Sequence, residues 1–297
     1  MLHFIETSSR SIEVHRGFIR AGSTRHTSVD AAWFVTCGGG VSPSALLIAI
    51  EFLTPLRLRR VQRWEDRDFG AALGWFPVVG LLIGGVLLLL DRILAPLLPP
   101  MPTAALLLAA LALLTGGLHL DGLADTADGL AVQGDRATRL GVMSEGNIGP
   151  AGVMALALVL LVQWSALVSL EPSLRASGLL IAPSLARWSA TPVAMLFRPA
   201  RPRGIGHALQ QGVWPFAAPF STALMVVIAV ALFGVAGLAL PLIAAVSALA
   251  IAGATSRMLD GVTGDTFGAS IEVAQAAVLI ALVIAGGRGW LLPMFFA

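Results

Sequence analysis

From residue 69 to residue 292 the chain is a succession of long apolar stretches separated by short polar loops. In hydrocarbon every backbone N–H and C=O must find its partner inside the segment or in a closed barrel. Apolar runs of about 20 residues are therefore constrained to be helices. The runs 69–90, 103–118, 150–170, 176–197, 214–238, 240–258 and 273–292 predict about seven transmembrane spans. Pro77 predicts a kink in the first of them. A shorter run, 42–54, contains Glu51 and reads as an interfacial or re-entrant helix. The expected fold is all-α: a polytopic integral membrane helix bundle with a short N-terminal interfacial or re-entrant helix. Composition agrees, since only 12% of residues are charged, against about 25% in soluble domains.

All 19 basic residues are arginine, and their positions orient the spans. Arg57, Arg59, Arg60, Arg63 and Arg67 crowd the segment before the first full span. Counting spans from there puts the loops 119–149, 198–213 and 257–270 on that same side, which the positive-inside rule makes cytoplasmic. The intervening loops hold only Arg92 and Arg175. A net charge of +2 gives no basic footprint for nucleic acid. The single cysteine, Cys37, excludes an intrachain disulfide. Residues 1–40 are polar, mixed in charge and lack the apolar core of a signal peptide. They read as a disordered extension ahead of a membrane-embedded catalytic domain, 41–297, with a natural start near Val41 as a second reading.

The chemistry concentrates in three of the loops. Asp121, Asp125 and Asp128 follow an apolar run at i, i+4, i+7, which places them within roughly a 60° arc of one helix face. Three carboxylates on one face repel each other, and hard oxygen donors suit Mg²⁺ or Mn²⁺. A helix cap would account for one such aspartate more easily than for three. His119 falls on the opposite side of that helix and reads equally as a packed or a catalytic histidine. Asp265 and Glu272 are seven apart, so they share a second helix face, although Asp265 alone could be an N-cap. Arg187 lies inside a span and needs an anionic partner, a carboxylate or a phosphate. Arg198, Arg201 and Arg203 sit in the loop that follows it. The glycine-rich stretch Ser144-Glu-Gly-Asn-Ile-Gly-Pro-Ala-Gly152 opens a helix whose N-terminus could bind an anion or be an ordinary helix start. Carboxylates, a divalent cation and arginines at one membrane face suit phosphoryl chemistry.

The CDP-alcohol phosphotransferases carry Asp-Gly-x-x-Ala-Arg, and Asp121-Gly-Leu-Ala-Asp125 lacks its Ala-Arg element. The sequence instead resembles the cobalamin synthase family, the adenosylcobinamide-GDP ribazoletransferases or cobalamin-5′-phosphate synthases. Thr115-Gly-Gly-Leu-His-Leu-Asp-Gly-Leu-Ala-Asp-Thr-Ala-Asp-Gly129 and Thr263-Gly-Asp-Thr-Phe-Gly-Ala-Ser-Ile-Glu272 carry the likeness. Phe52-Leu-Thr54, Phe76-Pro-Val-Val-Gly80, Arg187-Trp188 and Gly204-Ile-Gly206 follow in the family's order. The chain reads Glu145-Gly-Asn147 where the family has an Asp-Ser-Arg-like segment.

The resemblance implies an Mg²⁺-dependent enzyme of the inner membrane in cobalamin (vitamin B12) biosynthesis. It would join adenosylcobinamide-GDP to α-ribazole or its 5′-phosphate and release GMP. Asp121, Asp125, Asp128, Asp265 and Glu272 are then the catalytic candidates, with Asp121, Asp125, Asp128 and Asp265 as metal ligands. Arg187, Arg198, Arg201, Arg203, His119 and Thr263 are the substrate-binding candidates. The partners implied are these small molecules and membrane lipid, and a homo-oligomer or an assembly with other cobalamin-pathway enzymes is compatible with them. The alternatives are a membrane phosphotransferase acting on a lipid alcohol and, more remotely, a cation-coupled transporter.

Overall fold

The structure is a computed structural model and describes residues 43–58, 66–211, 213, 216–291, 293 and 294. The N-terminal extension 1–40 lies outside the described residues, as do Arg59, Arg60 and Arg63. Thirteen α-helices form the described part in chain order: α1 (Pro43–Leu53), α2 (Asp66–Leu73), α3 (Phe76–Leu94), α4 (Pro100–Leu114), α5 (Leu118–Ala131), α6 (Arg136–Val142) and α7 (Pro150–Ser169), followed by α8 (Pro172–Trp188), α9 (Ala190–Leu196), α10 (Ile205–Ala208), α11 (Ala217–Phe233), α12 (Ala239–Leu259) and α13 (Gly264–Gly287). The described residues contain no strand, only one isolated parallel bridge between Pro199 and Val262.

Five stretches are long and apolar enough to cross a membrane, or six if α4 and α5 are counted together as one broken span. One of the five, Ala217–Leu259, is interrupted by a 3-10 turn at Gly234–Leu238. The chain doubles back there, because the Gly237 backbone lies against the Ala229 carbonyl and Phe233. Each apolar run of the sequence thus has its helix, but the boundaries move. The first span begins at Phe76 instead of continuing from residue 69, and a break at Gly74 and Trp75 separates it from α2. Pro77 occupies the first turn of α3, where its missing N–H costs nothing; in mid-helix its ring would collide with the carbonyl four residues back. The last helix starts at Gly264, not near residue 273, so it carries both Asp265 and Glu272.

A larger departure lies at the end of α4. The sequence reads as one helix running into the aspartates, whereas the chain turns by 90° between α4 and α5. Gly116 and Gly117 take φ of +59° and +72°, a left-handed pair that no helix continues through and that glycine adopts at least cost. The aspartates therefore stand on a short helix of their own.

The core is an apolar seam of α3 and α8 extended by α12 and α13, with Phe76, Leu87, Ile181, Leu185, Ala248 and Leu279 fully enclosed or nearly so. The Gly80 and Gly84 backbones press against Pro183, Ser184, Leu179 and Leu180, the small-residue approach that helices use where lipid supplies no hydrophobic drive. Ser184 donates to the Pro77 carbonyl at 2.6 Å across the same seam. At the end of α3 remote from Pro77, buried Asp91 and Arg175 form an ion pair of 2.9 Å. Exposed Leu82, Leu89, Leu113, Leu158, Val227 and Leu242 give the outer surface the apolar character that lipid requires.

Candidate active site

The three polar loops after α5, α9 and α12 converge. Arg136 donates through Nε to the Leu259 carbonyl at 2.7 Å and through Nη2 to the Ala200 carbonyl. Arg198 forms an ion pair with Asp260, and Ala200 and Val262 exchange backbone bonds with the facing segments. Arg201 reaches the Leu140 carbonyl and Ser144 Oγ, both at 2.8 Å. Arg139 donates to the Gly129 and Leu130 carbonyls at the end of α5. Each of these arginines stitches one loop to another or closes a helix C-terminus, where carbonyls lack intrahelical partners.

Two helices carry the acids into this region. α5 and α13 meet backbone to backbone: a methyl group on Gly122 would stand 2.8 Å from the Asp265 carbonyl oxygen, and one on Gly268 3.1 Å from that of His119. The start of α13 is fixed by a capping box in which Thr263 Oγ1 and Thr266 satisfy each other's backbone N–H. Thr263, not Asp265, is the N-cap. Asp265 lies in the first turn, where Thr263 Oγ1 donates to its Oδ2 at 3.2 Å. Its backbone lies against Gly122, one turn before Asp125 on α5. The second acidic motif is therefore brought to the first. Asp121 is exposed, Asp125 and Asp265 are partly exposed, and none of the three has an ion pair among the described residues.

Asp128 is held differently. It is buried, and its two oxygens accept hydrogen bonds from Gly149 N at 2.6 Å and Gly152 N at 2.8 Å, the N-cap and a first-turn amide of α7. The anion at this helix N-terminus is thus a side chain of the protein itself.

Deeper between the helices lies a second polar group. Glu272 is buried two turns beyond Asp265 and accepts from Gln163 Nε2 at 2.9 Å. Gln163 Oε1 accepts from Gln275 Nε2 at 2.8 Å, and Gln275 Oε1 faces Arg187 Nη1 at 3.5 Å. Arg187 is fully buried and also donates to the Pro183 carbonyl at 3.0 Å. Its guanidinium is thus linked to the Glu272 carboxyl through two amides. It does not stand among the exposed acids. His119 is buried on the face of α5 away from Asp121, and among the described residues neither its ring nitrogens nor Arg187 Nε finds a hydrogen-bond partner. Of the loop arginines, Arg198 and Arg201 are engaged with protein groups, whereas Arg203 is exposed without a hydrogen bond or ion pair among the described residues. Sequence reasoning passed over Gln163 and Gln275. The available signal was an amide in the middle of an apolar run, which hydrocarbon tolerates only with a partner.

Among the described residues no three histidine, cysteine, aspartate or glutamate side chains converge closely enough to enclose a metal ion. The donors present are hard carboxylate oxygens at a partly exposed rim. Such a rim fits Mg²⁺ held by one or two carboxylates, with water and phosphate oxygens completing the shell, better than a cage made of protein alone.

Fold and site together define an integral membrane protein of the all-helical class with an acidic site where its loops meet. Residues 45–283 match the cobalamin-5-phosphate synthase family, and the chain belongs to it. A relative from Pseudomonas paraeruginosa named adenosylcobinamide-GDP ribazoletransferase is 42% identical over 245 residues, covering 81% of this chain and 98% of that protein. Proteins of the same name from Stutzerimonas stutzeri and Geotalea daltonii are 40% and 34% identical, covering 82% and 81% of this chain and 99% and 97% of their own lengths. No solved structure matches the chain.

Proposed function

We propose that this protein catalyses the reaction its relatives are named for. It transfers the adenosylcobinamide-phosphate group of adenosylcobinamide-GDP to α-ribazole or α-ribazole 5′-phosphate, releases GMP and completes the nucleotide loop of cobalamin. The observation that carries this reading is the convergence of α5 and α13, which sets Asp265 against the helix of Asp121 and Asp125 in a chain matched to the family over residues 45–283.

Asp121, Asp125 and Asp265 are the acids with capacity to spare, and they would hold Mg²⁺ together with pyrophosphate oxygens. A bound Mg²⁺ supplies charge neutralisation at the phosphates and alignment of the reacting oxygens. Asp265, partly exposed beside Asp125, is placed to accept the proton of the attacking ribazole hydroxyl. Exposed Arg203, in the loop that Arg198 and Arg201 anchor, is placed to meet the anionic GMP as it leaves. Buried Glu272, Arg187 and His119 act from beneath, as a charged layer supporting the helices that present the acids. The arginine distribution supports a site at the cytoplasmic face of the inner membrane.

Purified protein incubated with adenosylcobinamide-GDP, α-ribazole and Mg²⁺ should release GMP in step with adenosylcobalamin, and a chelator should stop it. Absence of GMP under those conditions refutes the assignment. For orientation, Ala137→Cys, exposed in α6, in a background lacking Cys37 should react with an impermeant thiol reagent only after the membrane is opened. Labelling of intact cells from outside would reverse the topology.

A further inference from the structure

The three motif aspartates look equivalent in sequence, and the structure separates them. We infer that Asp128 is a latch: a positioning residue that fixes the acid-bearing helix α5 to the start of α7 and takes no part in holding the cation. Both of its oxygens are occupied by backbone N–H donors at 2.6 and 2.8 Å. Those donors are the N-cap and a first-turn amide of a 20-residue helix, whose unsatisfied amides and dipole favour a negative charge. The charge of Asp128 is thereby matched within the protein, and the cation has only Asp121, Asp125 and Asp265 to serve.

The cradle is shaped to the carboxylate. A methyl group on Gly149 would overlap Asp128 Oδ1, and one on Gly152 would overlap Asp128 Oδ2 and crowd the Ala124 carbonyl at 3.0 Å. Gly149-Pro-Ala-Gly152 therefore reads as a carboxylate seat: glycines where the anion rests and Pro150 at a first-turn position that needs no N–H. Asp125 is one turn from Asp128 on the same helix, so the latch sets where Asp125 stands relative to α13.

The inference rests on the reading of Asp121, Asp125 and Asp265 as the cation-holding acids, and its test has one arm independent of activity. In detergent, the apparent thermal midpoint of Asp128→Ala and of Gly152→Ala should each fall by about 5 °C or more, since each disrupts a buried charged hydrogen-bond pair. The double variant should be no less stable than the worse single, because the new methyl occupies space the carboxylate has left. A double variant that falls by the sum of the singles overturns the latch.

In the second arm, kcat per folded enzyme should drop about tenfold in Gly152→Ala and Asp128→Ala, with KM for adenosylcobinamide-GDP and the half-saturating Mg²⁺ concentration each within about threefold. Asp121→Asn should raise that Mg²⁺ concentration about tenfold or more. An Asp128→Ala enzyme that follows Asp121→Asn in its Mg²⁺ demand makes Asp128 a ligand and ends the proposal. If Asp128→Ala does not accumulate, Gly149→Ala and Gly152→Ala carry the test without altering an acid, and wild-type kinetics in both would overturn it. A wild-type enzyme with no Mg²⁺ requirement would refute the cation reading instead, and the thermal cycle alone would then decide the latch.

Discussion

Two regions of this molecule hold a carboxylate and an arginine out of water, and they do so in opposite ways. At the far end of α3, Asp91 and Arg175 meet directly at 2.9 Å and settle each other's charge. Between α5, α7, α8 and α13, Glu272 and Arg187 communicate only through Gln163 and Gln275, and Arg187 Nε and both His119 nitrogens lack partners. A matched pair is a fastening, and a buried polar group with spare donors is under tension to recruit water or ligand. The incompletely matched region is the one that lies beneath the exposed acids. The arginines around those acids are committed mainly to carbonyls, which leaves the carboxylates available.

The largest test of this contrast is Asp121→Asn. It preserves size and removes an exposed charge, so the protein should accumulate normally while turnover falls by about a hundredfold or more. Near-normal turnover at saturating Mg²⁺ would reduce the motif to architecture. Next comes Glu272→Gln. It keeps a hydrogen-bonding group facing Gln163 but strips the charge that balances Arg187, and kcat should fall about tenfold. If the effect appears only as lost thermal stability, the inner layer is a fastening like Asp91–Arg175.

Asp91→Ala should show the reverse pattern. Leaving Arg175 buried without its partner costs about 3–5 kcal/mol, read as a thermal midpoint lowered by several degrees, with kcat per folded enzyme within about twofold. A specific loss of kcat would show that the remote end reaches the site.

The smallest effect belongs to Asp260, whose carboxyl is held below its ordinary pKa by hydrogen bonding to Arg198 and by that guanidinium's charge. A depressed carboxylate contributes stability above its unfolded pKa of about 4 and loses it as pH falls through the lower folded value. Asp260→Asn should therefore leave activity at neutral pH within about twofold and flatten only the acid limb of the stability profile. Asparagine also tolerates the left-handed backbone, φ +56°, found there. A large loss at pH 7 would assign this exposed pair to the site.

The helices were legible because lipid imposes one rule on every apolar run, and the acidic motifs were legible because three carboxylates on one face demand an explanation. Local periodicity could not show what distant residues supply. It placed Asp128 with Asp121 and Asp125, since the donors that occupy it come from more than 20 residues away. It left a carboxylate and a phosphate both open as the partner of Arg187, since Glu272 and Gln275 stand more than 80 residues further along the chain. The elbow at Gly116–Gly117 was written in the sequence as two adjacent glycines, yet a glycine pair is common enough in membrane helices that the pattern alone did not specify a turn.

That elbow determines what kind of cargo the protein can handle. Neighbouring helices in a bundle stand about 8–10 Å apart, narrower than a corrinoid macrocycle with its side chains. Had α4 continued straight, the aspartates would have run on along its own axis, among neighbouring helices too close together to admit such a molecule. Turned through 90°, the acid-bearing helix lies across the one that leads to it, and Asp121 stays exposed where the loops meet. On the proposed function a bulky, water-soluble donor would dock there with only its pyrophosphate seated among the acids, so the bundle would serve as a pier and not as a channel.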